Sequence, residues 1–160
     1  MLDLNTFKTI VNSTPLVSID LIIKNSNNEI LIGKRINKPA KDYYFTIGGR
    51  VYKNETMMDA SMRILKEELG LKINCALNFI GIFEHFYKDS IFPNVSTHYI
   101  NMAYQLNLDS ANLDALAKTQ HSSYRWISVS DLMLKEDIHS NVKAYFKKEK
   151  NRAQIQTMTI

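Results

Sequence analysis

Cysteine is nearly absent. The single Cys75 excludes an internal disulfide framework and suits a reducing compartment. No apolar run approaches the ~20 residues that a helix needs to cross a bilayer. The N-terminus carries Asp3 and no long apolar stretch, so it does not read as a signal peptide. Zinc-ligand spacing, RNP-like aromatic and basic runs, and internal repeats are all missing. These absences point to a cytoplasmic globular protein with neither membrane nor nucleic acid as a partner.

What remains is ordinary in composition. The chain has 160 residues, 45% hydrophobic and 22% charged, which suits one domain with a real core. We expect a single domain over 1–160, with an N-terminal arm or helix at 1–15 and a tail at 149–160. The net charge of +4 is compatible with a small anionic substrate such as a nucleotide. The densest basic run, KKEKNR at 147–152, reads as a solvated helix end and tail.

Periodicity places the elements. Leu4, Phe7, Ile10 and Val11 recur at helical spacing, ended by Ser13-Thr14-Pro15. Leu16 to Lys24 is β-rich, with apolar residues on both parities toward its end. A turn at Asn25–Asn28 and a returning strand at Glu29–Arg35 predict a hairpin. Lys38–Lys41 is a loop, and Tyr43–Ile47 a short strand feeding a Gly48 turn. Ile73–Tyr87 reads as a long strand bent near Gly81, paired with Val95–Leu108 across a loop at Lys88–Asn94. A polar connection at Asp109–Gln120 leads to a strand at Tyr124–Ile127. A short helix from Ser128 or Ser130 to Leu134 and a last helix at His139–Lys148 complete the pattern. Mixed strands with a helix inserted mid-chain predict an α/β sandwich.

The inserted helix lies in GGRVYKNETMMDASMRILKEELGL, residues 48–71. Thr56 can cap it, with Asp59 three residues on, and Gly70 is a natural stop. Arg63 and Glu67 share one helix face, and Ile64 and Glu68 the next ridge. By itself this is an amphipathic helix with a solvated Arg–Glu pair. With Gly48, Gly49 and Glu55 in register it becomes a candidate magnesium site.

The stretch resembles the Nudix box. Gly49, Glu55, Arg63, Leu65, Glu67, Glu68, Gly70 and Leu71 stand at that family's spacings. Ile64 departs from it, standing where the family has the first glutamate of an Arg-Glu pair. The resemblance implies a Nudix fold, an α/β/α sandwich around a mixed β-sheet. Along nearly its whole length the chain resembles the GDP-mannose mannosyl hydrolases, which also lack that glutamate. The stretches concerned include STPLVS at 13–18, GKR at 33–35, GGRV at 48–51, HFY at 85–87, THY at 97–99, QH at 120–121, YRW at 124–126 and AYF at 144–146.

That resemblance implies a reaction in which water attacks the anomeric carbon of GDP-mannose, or of GDP-glucose, releasing GDP and inverting the sugar. It implies one Mg²⁺ per site, with Mn²⁺ as a substitute. The ligands would be the Gly48 carbonyl, Glu68 and Gln120, with Glu67 as a further candidate. His121, which reads as part of a polar loop before the Tyr124–Ile127 strand, would be the general base. Arg35 and Arg63 would bind the diphosphate. Arg50, Asp20, His85, Tyr87 and Tyr99 would line the phosphate and sugar pocket, and Leu2 and Phe7 would contact the guanosine. A homodimer is implied too.

Plainer readings stand beside these. Asp20, inside an apolar strand, needs a partner, which is either substrate or Arg50. Phe7 either packs its own helix or contacts guanine. His98 and His139 read as structural. Two other functions stay open: a nucleotide-sugar pyrophosphohydrolase attacking phosphorus, against which Ile64 argues, and a non-catalytic module that binds nucleotide sugars.

Overall fold

The first strand, β1, runs Leu16–Lys24. Both its parities are apolar because both its faces are covered. Ile19, Leu21 and Ile23 enter one core with Leu65 and Leu69, while Ile22 enters a second with Ile32, Leu132 and Val142. The computed structural model describes residues 2–72, 75–108 and 112–147. Ile73, most of the 147–152 basic run, the expected 149–160 tail and the C-terminal end of the last expected helix lie outside the described residues.

Before β1, Leu4–Ser13 forms α1, capped by Asp3, whose side chain accepts from the Asn5 and Thr6 N–H groups. After it come β2 (Ile30–Arg35), β3 (Tyr44–Phe45), β4 (Ile47–Arg50), α2 (Met57–Leu69), β5 (Asn78–Tyr87) and β6 (Thr97–Asn107). A 3₁₀ turn at Leu113–Ala115 leads to β7 (His121–Ile127), α3 (Val129–Leu134) and α4 (Ser140–Ala144). The sheet is mixed: β6 runs parallel to β1 from Leu16↔Tyr99 to Lys24↔Asn107, and β5 pairs antiparallel with β6. Helix α2 covers one face, α3 and α4 the other. The expected α/β/α sandwich is present.

Three expectations change in detail. The β1–β2 hairpin is paired only beside its turn, at Lys24↔Ile30. Beyond that pair β2 leaves to join β3 and β7, and β4 takes its place along β1. Gly48 and Gly49 form no turn. They lie within β4, opposite Asp20 and Ile19, and Gly70 is the glycine with positive φ. The long strand starts at Asn78 and has its irregularity between Phe79 and Gly81, so the bend near Gly81 is a β-bulge.

Helix α2 is fixed at both ends as its sequence predicts. The Thr56 hydroxyl accepts from the Asp59 N–H at 3.1 Å and donates to the Asp59 carboxylate at 2.7 Å. Gly70 closes the helix at φ 73°, its N–H bonded to Leu65 and Lys66 carbonyls. A Cβ at Gly70 would meet nothing within 4 Å, so any cost of Gly70→Ala is backbone strain. We expect Gly70→Ala to lose about 1–2 kcal/mol and Leu65→Ala, which empties a fully buried position, about 2–5 kcal/mol. Urea unfolding of both variants measures this; a neutral Gly70→Ala would mean that the cap relaxes out of the left-handed region.

Candidate active site

Alternation in a β ladder determines which backbone groups reach the site. Val51 bonds to the Val17 carbonyl, so residues 51, 49 and 47 face β1, and residues 50 and 48 turn their N–H and C=O away from it. The Arg63 guanidinium on α2 takes the Arg50 carbonyl at 2.8 Å. The Glu68 carboxyl meets the Gly48 N–H at 3.4 Å. The Gly48 carbonyl therefore points along the same edge, toward α2. The two glycines leave room for different neighbours, Gly48 for β1 and Gly49 for α2. A Cβ at Gly48 would lie 2.2 Å from the Asp20 carboxylate, and one at Gly49 would lie 3.1 Å from Ile64.

Arg63 also binds Glu55 at 2.7 and 2.9 Å and Glu67 at 3.0 Å, and its guanidinium lies over the Tyr52 ring, 3.9 Å from the centroid. It was expected to bind diphosphate directly. In this structure its Nε, Nη1 and Nη2 groups donate to two carboxylates and a carbonyl, and its side chain also lines the cavity above.

Above this edge opens a cavity of about 330 Å³, within the size range of small-ligand sites. Glu67, Glu68, Gly48 and Gln120 line it, the Gln120 side-chain oxygen accepting from the Asn37 amide at 3.1 Å. Arg35 and Arg50 also line it. Arg35 donates to the Pro39 carbonyl at 2.9 Å, and Arg50 lies 4.2 Å from the Phe7 ring centroid. Among the described residues neither arginine makes an ion pair. Phe7, Asp20, His85, Tyr87 and Tyr99 complete the expected set around the cavity. Leu2 does not join them; it is exposed and off the lining.

The acidic side fits a hard divalent cation. Its donors, Glu67, Glu68, the Gln120 side-chain oxygen and the Gly48 carbonyl, are all oxygen. Burial, above all, pushes the Glu68 carboxyl up to about 8, against the opposing pull of Arg35 and the Gly48 N–H. A carboxyl held that far from ionisation lacks a neighbouring positive charge sufficient to offset its burial. No group of three or more His, Cys, Asp and Glu side chains gathers among the described residues. A cation here would therefore depend on amide and backbone oxygens as well.

His121 is not on a loop. It begins β7, opposite Arg35, is fully buried, and is absent from the cavity lining. Its ring lies on Gly33, where a Cβ would come within 2.5 Å of it. Nδ1 stands 3.7 Å from Glu68. Burial first, then Arg35, lowers the imidazole to about 3. With Glu68 raised and His121 lowered, this contact is a neutral acid beside a neutral imidazole, not an ion pair. Among the described residues neither ring nitrogen has a hydrogen-bond partner.

The sequence reading missed the partner of Asp20. It is Tyr145, the C-cap of α4, whose buried hydroxyl donates to the Asp20 carboxylate. The same oxygen lies 3.2 Å from His85 Nε2 and 3.4 Å from Asn101 Oδ1. Asn101 in turn donates to Ser18 at 2.8 Å. The available signal was polar residues at 18, 20 and 101 inside otherwise apolar strands. His139 caps α4 and packs against Phe45 and Tyr87, and His98 stacks on Phe86.

Residues 14–148 match the sequence profile of the NUDIX domain. The chain is 41% identical over 120 residues, 74% of its length and 74% of the relative's, to the low-salt glycan biosynthesis protein Agl8 of Haloferax volcanii. It is 39% identical over 69 residues, 43% of its length and 40% of the relative's, to an ADP-ribose pyrophosphatase of Methanocaldococcus jannaschii. Among solved structures it is similar to a MutT protein from Methanosarcina mazei Go1. The TM-score is 0.68 with 16% identity, covering 84% of this chain and 92% of that one, which bears on the fold alone.

The Glu68 carboxyl gives the metal-free protein an unusual pH response. An ordinary carboxyl near 4.5 has lost its proton in the unfolded chain well below pH 8, whereas native Glu68 keeps it up to about 8. The native state then binds more protons, so stability falls as pH rises between those values. The lowered histidines His85, His121 and His139 act oppositely, but only below their ordinary 6.5. In chelator, the thermal midpoint should decline from about pH 6.5 to 8. Glu68→Gln should flatten the decline and Mg²⁺ should offset it. A midpoint that rises through this window would overturn the assignment of a buried, protonated Glu68.

Proposed function

Because the chain belongs to the Nudix family of hydrolases, we propose that it hydrolyses GDP-mannose to GDP and mannose, with water attacking the anomeric carbon. The observation that carries this is Ile64. It is 1% exposed and packed on Gly49, so hydrocarbon fills the position beside Glu68 where a further carboxylate would stand. A cluster with fewer carboxylates is less suited to holding a second cation beside a hydroxide at phosphorus. The relative named for glycan biosynthesis is in keeping with a nucleotide-sugar substrate.

The roles follow the walls of the cavity. Arg35 and Arg50, which have no carboxylate ion-pair partner among the described residues, take the diphosphate, for which a guanidinium's forked donors are suited. Glu68, Gln120 and the Gly48 carbonyl hold Mg²⁺, with Glu67 at the rim. When bound, the ion supplies positive charge for the departing diphosphate. Arg63 positions the acids. Asp20, His85, Tyr87 and Tyr99 face the sugar, and Phe7 faces the guanine end.

His121 is the general base in this reading. Its neutral imidazole has both a donor and an acceptor without partners among the described residues, and leaving such groups unmet costs about 1–3 kcal/mol each. Water held between His121 and Glu68 would satisfy them and stand beside the metal ligands. Because the ring is sealed from the cavity, the Gln120–His121 segment must shift for that water to reach the sugar. Catalytic contacts often tighten only when substrate binds. A homodimer belongs to the same proposal.

The limited similarity to an ADP-ribose pyrophosphatase favours a second reading, attack at phosphorus. Two measurements separate the two. In ¹⁸O-water, label should enter the free sugar and leave GDP unlabelled, with the β anomer formed first from an α-linked substrate. Label in a phosphate oxygen, with GMP and a sugar phosphate as products, would establish the pyrophosphohydrolase instead. A panel of nucleotide sugars with and without Mg²⁺ identifies the substrate. Replacing His121 with Ala should lower kcat by about 10²- to 10⁴-fold; a folded variant with unchanged kcat would remove His121 from the mechanism.

A further inference from the structure

Tyr145 reaches the site from the opposite layer. It follows α4, 125 residues along the chain from Asp20, and it is not among the residues lining the cavity. Its side chain is 2% exposed, packed edge-on against Phe83 at 4.8 Å between ring centroids. Its hydroxyl touches two residues that do line the cavity, Asp20 and His85.

A tyrosine hydroxyl has one proton and two lone pairs. The strongest acceptor in reach is the Asp20 carboxylate, to which the hydroxyl donates. Asn101 Oδ1 is farther, at 3.4 Å. With its proton given to Asp20, the oxygen facing His85 Nε2 at 3.2 Å can only accept. His85 must then carry its proton on Nε2. Its Nδ1 has no hydrogen-bond partner among the described residues, and it is not among their sealed, unpaired nitrogens. It is therefore the ring atom open to the cavity.

We propose that Tyr145 is a positioning residue that locks His85 in the Nε2–H tautomer, so that Nδ1 is offered as a hydrogen-bond acceptor to a hydroxyl of the bound sugar. The relay runs Asp20, Tyr145, His85, substrate, and each link has its donor and acceptor fixed by the one before. Burial, which keeps the His85 imidazole neutral, is consistent with this arrangement. A site that accepts from a hydroxyl rejects ligands lacking one, because the buried acceptor is then left unmet. The sugar's part in this inference rests on the nucleotide-sugar reading above; the tautomer does not.

Imidazole ¹⁵N NMR of the ligand-free wild-type protein tests the lock directly. The His85 signal, assigned by its loss in His85→Gln, should show a protonated Nε2 and an unprotonated Nδ1. A predominant Nδ1–H form, or a rapidly exchanging mixture, would overturn the proposal. Tyr145→Phe keeps the ring and removes the hydroxyl. In a folded variant the tautomer should become mixed, and kcat/KM for the nucleotide sugar should fall about 10- to 100-fold, the size of effect known for outer-shell partners. Inhibition by GDP alone should be unchanged, because the arginine side is untouched. Equal weakening of GDP binding would mean that Tyr145 only supports the fold, and the proposal would fail. If the panel yields no nucleotide-sugar turnover, the functional reading falls, while the wild-type tautomer still decides the role of Tyr145.

Discussion

The contact between α2 and β4 is the constraint on which the site depends. Gly49 lets helix and strand approach until Ile64 rests on backbone, and the Glu68 carboxyl reaches the neighbouring Gly48 N–H. Arg63 then ties the layers together through the Arg50 carbonyl, Glu55 and Glu67. A larger residue at 48 would collide with Asp20 as well as the Ile19 carbonyl. The same glycine therefore sets the spacing between the acidic edge and the buried Asp20 network.

This close packing has an electrostatic consequence. Glu68 and His121 are removed from water together, and burial drives each toward its uncharged form. A cation or an anion entering the cavity changes that balance more than it would at a surface, because low-dielectric surroundings strengthen each interaction. Arg35 opposes the burial effect on Glu68 and reinforces it on His121. Its charge thus acts on both groups of the acidic edge from the arginine wall of the cavity.

The two layers contribute differently. The α2 side brings carboxylates and a guanidinium whose partners are mostly local in sequence, such as Glu55, Arg63 and Glu67. The α4 side brings Tyr145, whose partners lie on β1, β5 and β6. The sheet between them carries Asp20 into contact with both, since the residue opposite it in β4 is Gly48 and its carboxylate meets Tyr145.

Local pattern was enough for much of this molecule. The caps of α2, the bounds of β1, the bulge near Gly81 and the α/β/α layering follow from periodicity, hydrogen-bonding side chains and glycine, which act within a few residues. The spacing of Gly49, Glu55, Arg63, Glu67 and Glu68 placed the acidic edge for the same reason, since a helix converts sequence interval into shared face. What lay outside the sequence depended on which strands became neighbours. Gly48 and Gly49 read as a turn because glycine's use in close packing leaves no local signature. His121 read as a loop residue because polar neighbours hide that β7 closes on β2 over Gly33. Tyr145 could not be matched to Asp20 because they lie on different layers, and only the sheet's topology brings a C-terminal hydroxyl to a carboxylate in the first strand.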